Sequence, residues 1–156
     1  MSRTHHSYSP IEVVLPAQQD RRVRTVLGKP LGLWYSVDGS WEEWCADNMP
    51  KWIAGKIVYD VELGDERILA LRTIDEILAF DAEYARAVFG CDFLTFPEWQ
   101  RVAEDYDGIE IAPYCWELRL DLHWYYSWDC ASGCIWTPRG VRLTRRDIPQ
   151  PLTTGD

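Results

Sequence analysis

The run from His123 to Trp136 places five large aromatics around one carboxylate, Asp129, and a short Ala131-Ser132-Gly133 turn between Cys130 and Cys134. A carboxylate among aromatic rings is poorly solvated and needs a fixed partner, which a bound ligand can supply. Held in place, it can also stabilise positive charge that develops on a substrate. Trp124, Tyr126 and Trp128 alternate with Tyr125, Ser127 and Asp129. That period of two predicts a strand with one aromatic face that ends at Asp129, ahead of the turn. The competing reading makes the aromatics core and Asp129 merely the first residue of the turn.

Two further segments combine hydrogen-bonding groups with aromatics: His6-Ser7-Tyr8-Ser9 near the start, and Gly32-Leu33-Trp34-Tyr35-Ser36. Glu110 and Glu117 are rival acids expected near the same sheet. With three histidines in the chain and no nucleophile elbow, nothing suggests a Ser-His-Asp hydrolase. Neither a Walker sequence nor a dinucleotide-binding glycine fingerprint is present. Cys130, Cys134 and His123 lack a second pair of ligands at zinc spacing, so no metal is expected. The five cysteines are odd in number and irregularly spaced, which argues against a disulfide framework and for a reducing cytoplasm. The first residues do not read as a signal peptide, and no apolar run is long enough to span a bilayer.

Nine Trp, eight Tyr and four Phe are many for 156 residues and favour a protein that stacks on flat ligands or anchors an interface. The formal charge of −9 speaks against non-specific nucleic-acid binding, which rests on a basic surface. The Arg-rich pieces Arg21, Arg22, Arg24, in a polar loop over 16–30, and Arg139, Arg142, Arg145, Arg146 read either as a local anion site or as solvated faces, and the first piece also as a contact for a target.

The elements that must position these residues follow from pattern. Thr4 to Ser9 reads as a first strand or an ordered arm. Gly32 to Val37 reads as a strand, closed by Asp38-Gly39-Ser40, with Ser40 and Glu43 as a capping box for a helix through Trp41, Trp44 and Cys45. Ile57 to Leu63 alternates as a strand, with 67–72 expected as its neighbour. Thr73 and Glu76 form a second capping box, opening an amphipathic helix through Ile74, Ile77, Leu78 and Tyr84. Pro97 starts a helix through Trp99, Val102 and Ala103. Tyr106-Asp107-Gly108 turns into a strand over Ile109 to Ala112, and Glu117 to Leu122 reads either as a short helix or as an excursion between strands. Cys134 to Thr137 and Gly140 to Leu143 read as a closing hairpin. Strands and helices mix without a βαβ repeat, so the class is α+β. One domain is expected over 1–148, with a flexible tail over 149–156.

The three segments together resemble a mono-ADP-ribosyltransferase, whose fold carries an N-terminal strand with a polar His or Arg motif, a middle strand with an aromatic-Ser motif and a late strand with a catalytic acid. Ser7-Tyr8-Ser9-Pro10-Ile11-Glu12-Val13 resembles the opening segment of phage anti-CRISPR ADP-ribosyltransferases. Tyr106-Asp107-Gly108-Ile109, followed by Asp129 and the Ser-Gly turn, is similar to their closing segment, with an insertion between Ile109 and Trp128. Where the family has Glu or Gln two residues before its Glu, this chain has Ser127.

The resemblance implies an ADP-ribosyltransferase-like split β-sheet with flanking helices, binding NAD as substrate. Asp129 is the implied catalytic acid, stabilising the oxocarbenium-like state formed as nicotinamide leaves. Tyr35, or a neighbouring tryptophan such as Trp128, stacks on nicotinamide, Ser36 orients the ribose or amide, and His6 with Tyr8 binds the adenosine ribose. The acceptor is a host macromolecule, a protein in the first place and a nucleic acid in the second, modified in the host cytoplasm. The alternative is a non-catalytic acidic inhibitor that uses an aromatic surface. A related fold that hydrolyses NAD or removes an RNA 2′-phosphate differs in its acceptor.

Overall fold

The computed structural model describes residues 1–12, 23, 25, 26, 28–88 and 90–146. Arg21, Arg22, Arg24 and the tail from Pro149 lie outside the described residues. The chain opens with β1 (Arg3–Ser7), β2 (Thr25–Val26), β3 (Lys29–Pro30), β4 (Leu33–Val37) and α1 (Ser40–Asn48). β5 (Ile57–Glu62), β6 (Ile68–Leu71), α2 (Ile74–Tyr84), β7 (Ala85–Val88), β8 (Cys91–Pro97) and α3 (Trp99–Asp105) follow. β9 (Gly108–Ile111), β10 (Ser132–Ile135) and β11 (Arg142–Arg145) complete the order. The fold is α+β, with three helices among the described residues and one large mixed sheet. No helix among them is long and apolar enough to cross a membrane.

Seven strands pair in the order β11-β5-β1-β4-β10-β9-β6, and β2–β3 and β7–β8 form separate ribbons. All neighbours in the large sheet are antiparallel except β6 and β9. A parallel pair needs a crossover, and α2, the β7–β8 ribbon and α3 supply it. Their apolar faces bury Ile77, Phe80, Trp99 and Val102 with Ile109, Ile111 and Leu71 of the sheet. The opposite face holds a second cluster of Tyr35, Val37, Val61, Ile135 and Val141. Ile68 from one edge strand and Leu143 from the other both pack against it, so the sheet curls around this face.

Local chemistry explains the elements. In β5, Tyr59 and Val61 are buried while Asp60 and Glu62 are exposed, the alternation of a strand with one wet face. Thr73 accepts from the Glu76 amide, and the Glu76 carboxylate accepts from the Thr73 amide, the expected capping box of α2.

Four expectations are corrected. Trp124 to Asp129 is not a strand: Tyr125–Ser127 is a short 3-10 turn, and Asp129 lies in the segment that leads into β10. The buried residues are Trp124, Tyr125 and Trp128, a helical spacing that lets three large rings enter one core, where period two would have exposed Tyr125. The closing hairpin does not form: β10 lies between β4 and β9, whereas β11 pairs with β5, where Leu143 joins the second cluster. β6 is not the neighbour of β5; it lies at the far edge, paired with β9. Ser40 and Glu43 do not cap α1, since Gly39 takes the cap position and Ser40 donates to the Ala131 carbonyl.

Tyr35, Gly133 and Glu110 stand opposite one another on β4, β10 and β9. A Cβ at Gly133 would lie 2.3 Å from Cζ of Tyr35, so the ring occupies the space that only glycine leaves. Gly133→Ala is expected to lower unfolding stability by about 1–3 kcal/mol, the usual cost of overpacking a filled core. Urea denaturation checks this, and an unchanged midpoint would show that the Tyr35 ring moves freely.

Candidate functional site

His6 from β1, Ser36 from β4 and Asp129 from the segment before β10 line one cavity of about 480 Å³, together with Lys29, Trp34 and Trp41. The volume falls within the range of about 300–1,000 Å³ in which small ligands bind. It opens on the face of β1 and β4 that carries α1. Thr4 pairs with Ser36 across the two strands, and Ser36 with Ser132, so these three polar side chains share that face.

Glu42, in the first turn of α1, fixes the arrangement. Its Oε1 accepts from Thr4 Oγ1 at 2.8 Å and from His6 Nε2 at 2.9 Å, and its Oε2 accepts from Ser36 Oγ at 2.9 Å. Burial disfavours its charge, yet the hydrogen bonds from His6, Thr4 and Ser36 hold the carboxyl down at about 2. An ionised Glu42 requires the proton of His6 on Nε2, which leaves Nδ1 buried with no partner among the described residues. Ser36 also accepts from the Trp41 amide at 3.0 Å, tying the start of α1 to the strand.

Asp129 contacts Arg119 through one oxygen only, Oδ1 to Nη2 at 2.9 Å. Arg119 is itself held by Tyr114 and lies over the rings of Tyr126 and Trp116. The second carboxylate oxygen of Asp129 makes no hydrogen bond among the described residues. Cys130, next in the chain, borders the cavity with its thiol pushed up to about 11 by burial, which keeps it protonated and a weak nucleophile.

The other expected residues are placed differently. Tyr35 borders the cavity, but its ring points to the opposite face, where its hydroxyl donates to Glu110 Oε2 at 3.0 Å. Adjacent residues of a strand face opposite sides, so Tyr35 and Ser36 cannot both present side chains to one ligand; Trp34 and Trp41 form the aromatic wall instead. Trp128 is buried beside the cavity, tilted against Trp34 with ring centroids 4.8 Å apart. Tyr8 is 76% exposed and sits under the Lys56 ammonium, outside the lining. Glu110 is 2% exposed and paired with Arg3 at 2.6 Å, beneath the sheet. Glu117 is exposed on a 3-10 turn and does not border the cavity. Asp129 is therefore the one of the three candidate acids on its wall.

A second cavity of about 650 Å³ shares Asp129 and Cys130 with the first. Its walls carry Asp38, Glu43, Asp47, Trp44 and Trp116. Thr4, Lys29, Trp41 and Glu42 were not singled out as site residues in the sequence. Glu42 lies six residues after Ser36, across a strand, turn and helix start, and only the fold brings Thr4 and His6 to it.

Because the folded Glu42 carboxyl lies below its ordinary value of 4.5, its stabilisation is full above that pH and is lost as pH falls towards about 2. Glu42→Gln is expected to cost about 1–2 kcal/mol near neutral pH, with the gap to the parent protein closing over that acid range. Urea unfolding at a series of pH values measures it, and a gap independent of pH would refute an ionised Glu42. No family model matches the chain, and no curated protein or solved structure is significantly similar to it.

Proposed function

We propose that the protein binds NAD in the cavity over β1, β4 and the start of β10, and transfers ADP-ribose from it to a macromolecule. The supporting observation is that His6, Ser36 and Asp129, from three remote segments, meet on one aromatic-walled cavity. The proposal includes an ADP-ribosyltransferase-like sheet, read onto the continuous seven-stranded sheet whose β1, β4 and β10 border the cavity.

Nicotinamide lies against Trp34 or Trp41, with its amide N–H donated to the acceptor position that Ser36 retains. His6 binds the adenosine ribose. The bond from the nicotinamide nitrogen to ribose C1′ breaks, its electron pair leaves with nicotinamide, and positive charge grows on the ribose. The free oxygen of Asp129 accepts a hydrogen bond from a ribose hydroxyl and stabilises that charge. The nucleophile of the acceptor then bonds to C1′ and loses its proton to solvent. The acceptor enters by the second cavity, which meets the first at Asp129. A host protein is the acceptor this reading favours, since a chain of charge −9 repels phosphate backbones. The setting is a phage or mobile-element protein acting in host cytoplasm.

One observation favours a second reading, a non-catalytic inhibitor. Trp116 and Tyr126, 60% and 56% exposed, flank Arg119, and Trp, Tyr and Arg are the residues that dominate interface energetics.

Incubation of the purified protein with NAD and a host lysate separates the two. Release of nicotinamide is expected, with Asp129→Ala reducing it about 10²–10³-fold while the fold is retained. An intact protein that binds no NAD would sink the enzyme reading.

A further inference from the structure

Among the described residues, Lys29 is a cation without an ionic partner. Its ammonium donates to the Ser127 carbonyl at 2.6 Å and lies 4.6 Å from the Trp34 ring centre and 5.8 Å from that of Trp128. No carboxylate lies within 4.0 Å of it among the described residues; Asp129, its neighbour in charge, gives one oxygen to Arg119 and forms no ion pair with Lys29. An ammonium has three donors, and one is used among the described residues. Burial disfavours its charge, and Asp129 only partly offsets that effect.

The backbone that carries Lys29 is clamped on both sides. The Trp99 indole donates to the Gly28 carbonyl at 2.7 Å, and the Trp34 indole to the Pro30 carbonyl at 3.1 Å. Gly28 has φ of +76°, and any Cβ there would collide with the Phe96 ring at 2.2 Å, so the chain approaches the core as only glycine allows. Three residues, Gly28-Lys29-Pro30, thus hold one cation rigidly on the wall of the cavity. A rigid cation with spare donors on a cavity wall is complementary to an anion.

From this geometry we infer that Lys29 is the anion anchor of the cavity and grips the diphosphate of the bound nucleotide. The inference rests on the NAD reading for the identity of the nucleotide, and on Lys29 itself for the anion. It gives the cavity a polarity, with the diphosphate at Lys29, between the ring held by Trp34 or Trp41 and the ribose bound by His6. The arginines of the 16–30 loop are then not required for the phosphates.

The test is calorimetric titration with NAD, ADP-ribose, nicotinamide riboside and inorganic pyrophosphate. Lys29→Met keeps the apolar stem against Trp34 and Trp128 and removes the charge. It is expected to weaken NAD, ADP-ribose and pyrophosphate at least about tenfold, as loss of a charge-assisted bond does, and to change nicotinamide riboside by less than about twofold. Lys29→Arg, which keeps the charge, retains most of the affinity. In the unaltered protein, ADP is expected to displace NAD at least about tenfold better than adenosine does, a comparison that needs no variant. Equal binding of NAD by Lys29→Met, or equal competition by ADP and adenosine, overturns the anchor and leaves the NAD reading standing. Binding of pyrophosphate and ADP without NAD, lost in Lys29→Met, keeps the anchor and removes the NAD reading. A protein that binds none of the phosphates overturns both.

Discussion

The pairing of Glu110 with Arg3 sets the form of the molecule. Glu110 on β9 is almost wholly buried, and β4 and β10 separate it from β1, where Arg3 resides. A carboxylate so placed costs several kcal/mol of desolvation unless a cation and further donors reach it. Arg3 spans two strands to do so, with Nε at 2.6 Å and an Nη2 contact at 3.3 Å, and Tyr35 supplies a third donor. A flat sheet would hold β1 and β9 too far apart, so the pair requires the curl that also brings Ile68 and Leu143 to one cluster. Gly133, between Tyr35 and Glu110, leaves room for the ring whose hydroxyl reaches the pair.

β1 serves both faces of this sheet by alternation. Arg3 goes to the inner face and Glu110, while Thr4 and His6 go to the outer face and Glu42. Each carboxylate comes from a different part of the chain, so β1 is fixed from both sides and in register with β4. The orientation of the outer polar face therefore does not depend on a ligand. Glu42 binds three donors that would otherwise compete for substrate, and leaves an unpartnered ring nitrogen on His6 and one acceptor position on Ser36. This is preorganisation in the sense that reduces the ordering cost of binding.

Local patterns were legible in the sequence. The strand at β4, the alternation of β5, the capping box of α2 and the turn at Asp38-Gly39 all follow from short-range rules, and they recur in the structure. The resemblance grouped His6, Ser36 and Asp129 with Tyr8, Tyr35 and Trp128 around one ligand; the first three line one cavity, whereas Tyr8 and Trp128 lie outside its lining and the Tyr35 hydroxyl turns to the opposite face. The orientation of Tyr35 could have been read from the same alternation, because its neighbour Ser36 was assigned to the same ligand. The shape of Trp124 to Trp128 was not legible, since its period of two in size is not its period in burial. Glu42 and Lys29 were hidden for a related reason. Their partners, Thr4 and His6 for one and the faces of Trp34 and Trp128 for the other, are brought to them only by the sheet and its crossover.

The chemistry open to Asp129 turns on its two oxygens. If Arg119 gripped both, the acid would be a structural ion, and the exposed Trp116 and Tyr126 beside it would make the segment an interface. Arg119 instead takes Oδ1 alone, and its guanidinium is already placed by Tyr114 and two flanking rings. The contact orients the carboxylate without using the second oxygen. Lys29, on the wall of the same cavity, adds positive charge without closing on the acid. One cavity wall thus carries an anion that keeps one oxygen free of hydrogen bonds and a cation without an ionic partner, both among the described residues, beside the indoles of Trp34 and Trp41. Under the proposed reading, that arrangement suits a ligand with a negative part and a part that becomes positive as it reacts.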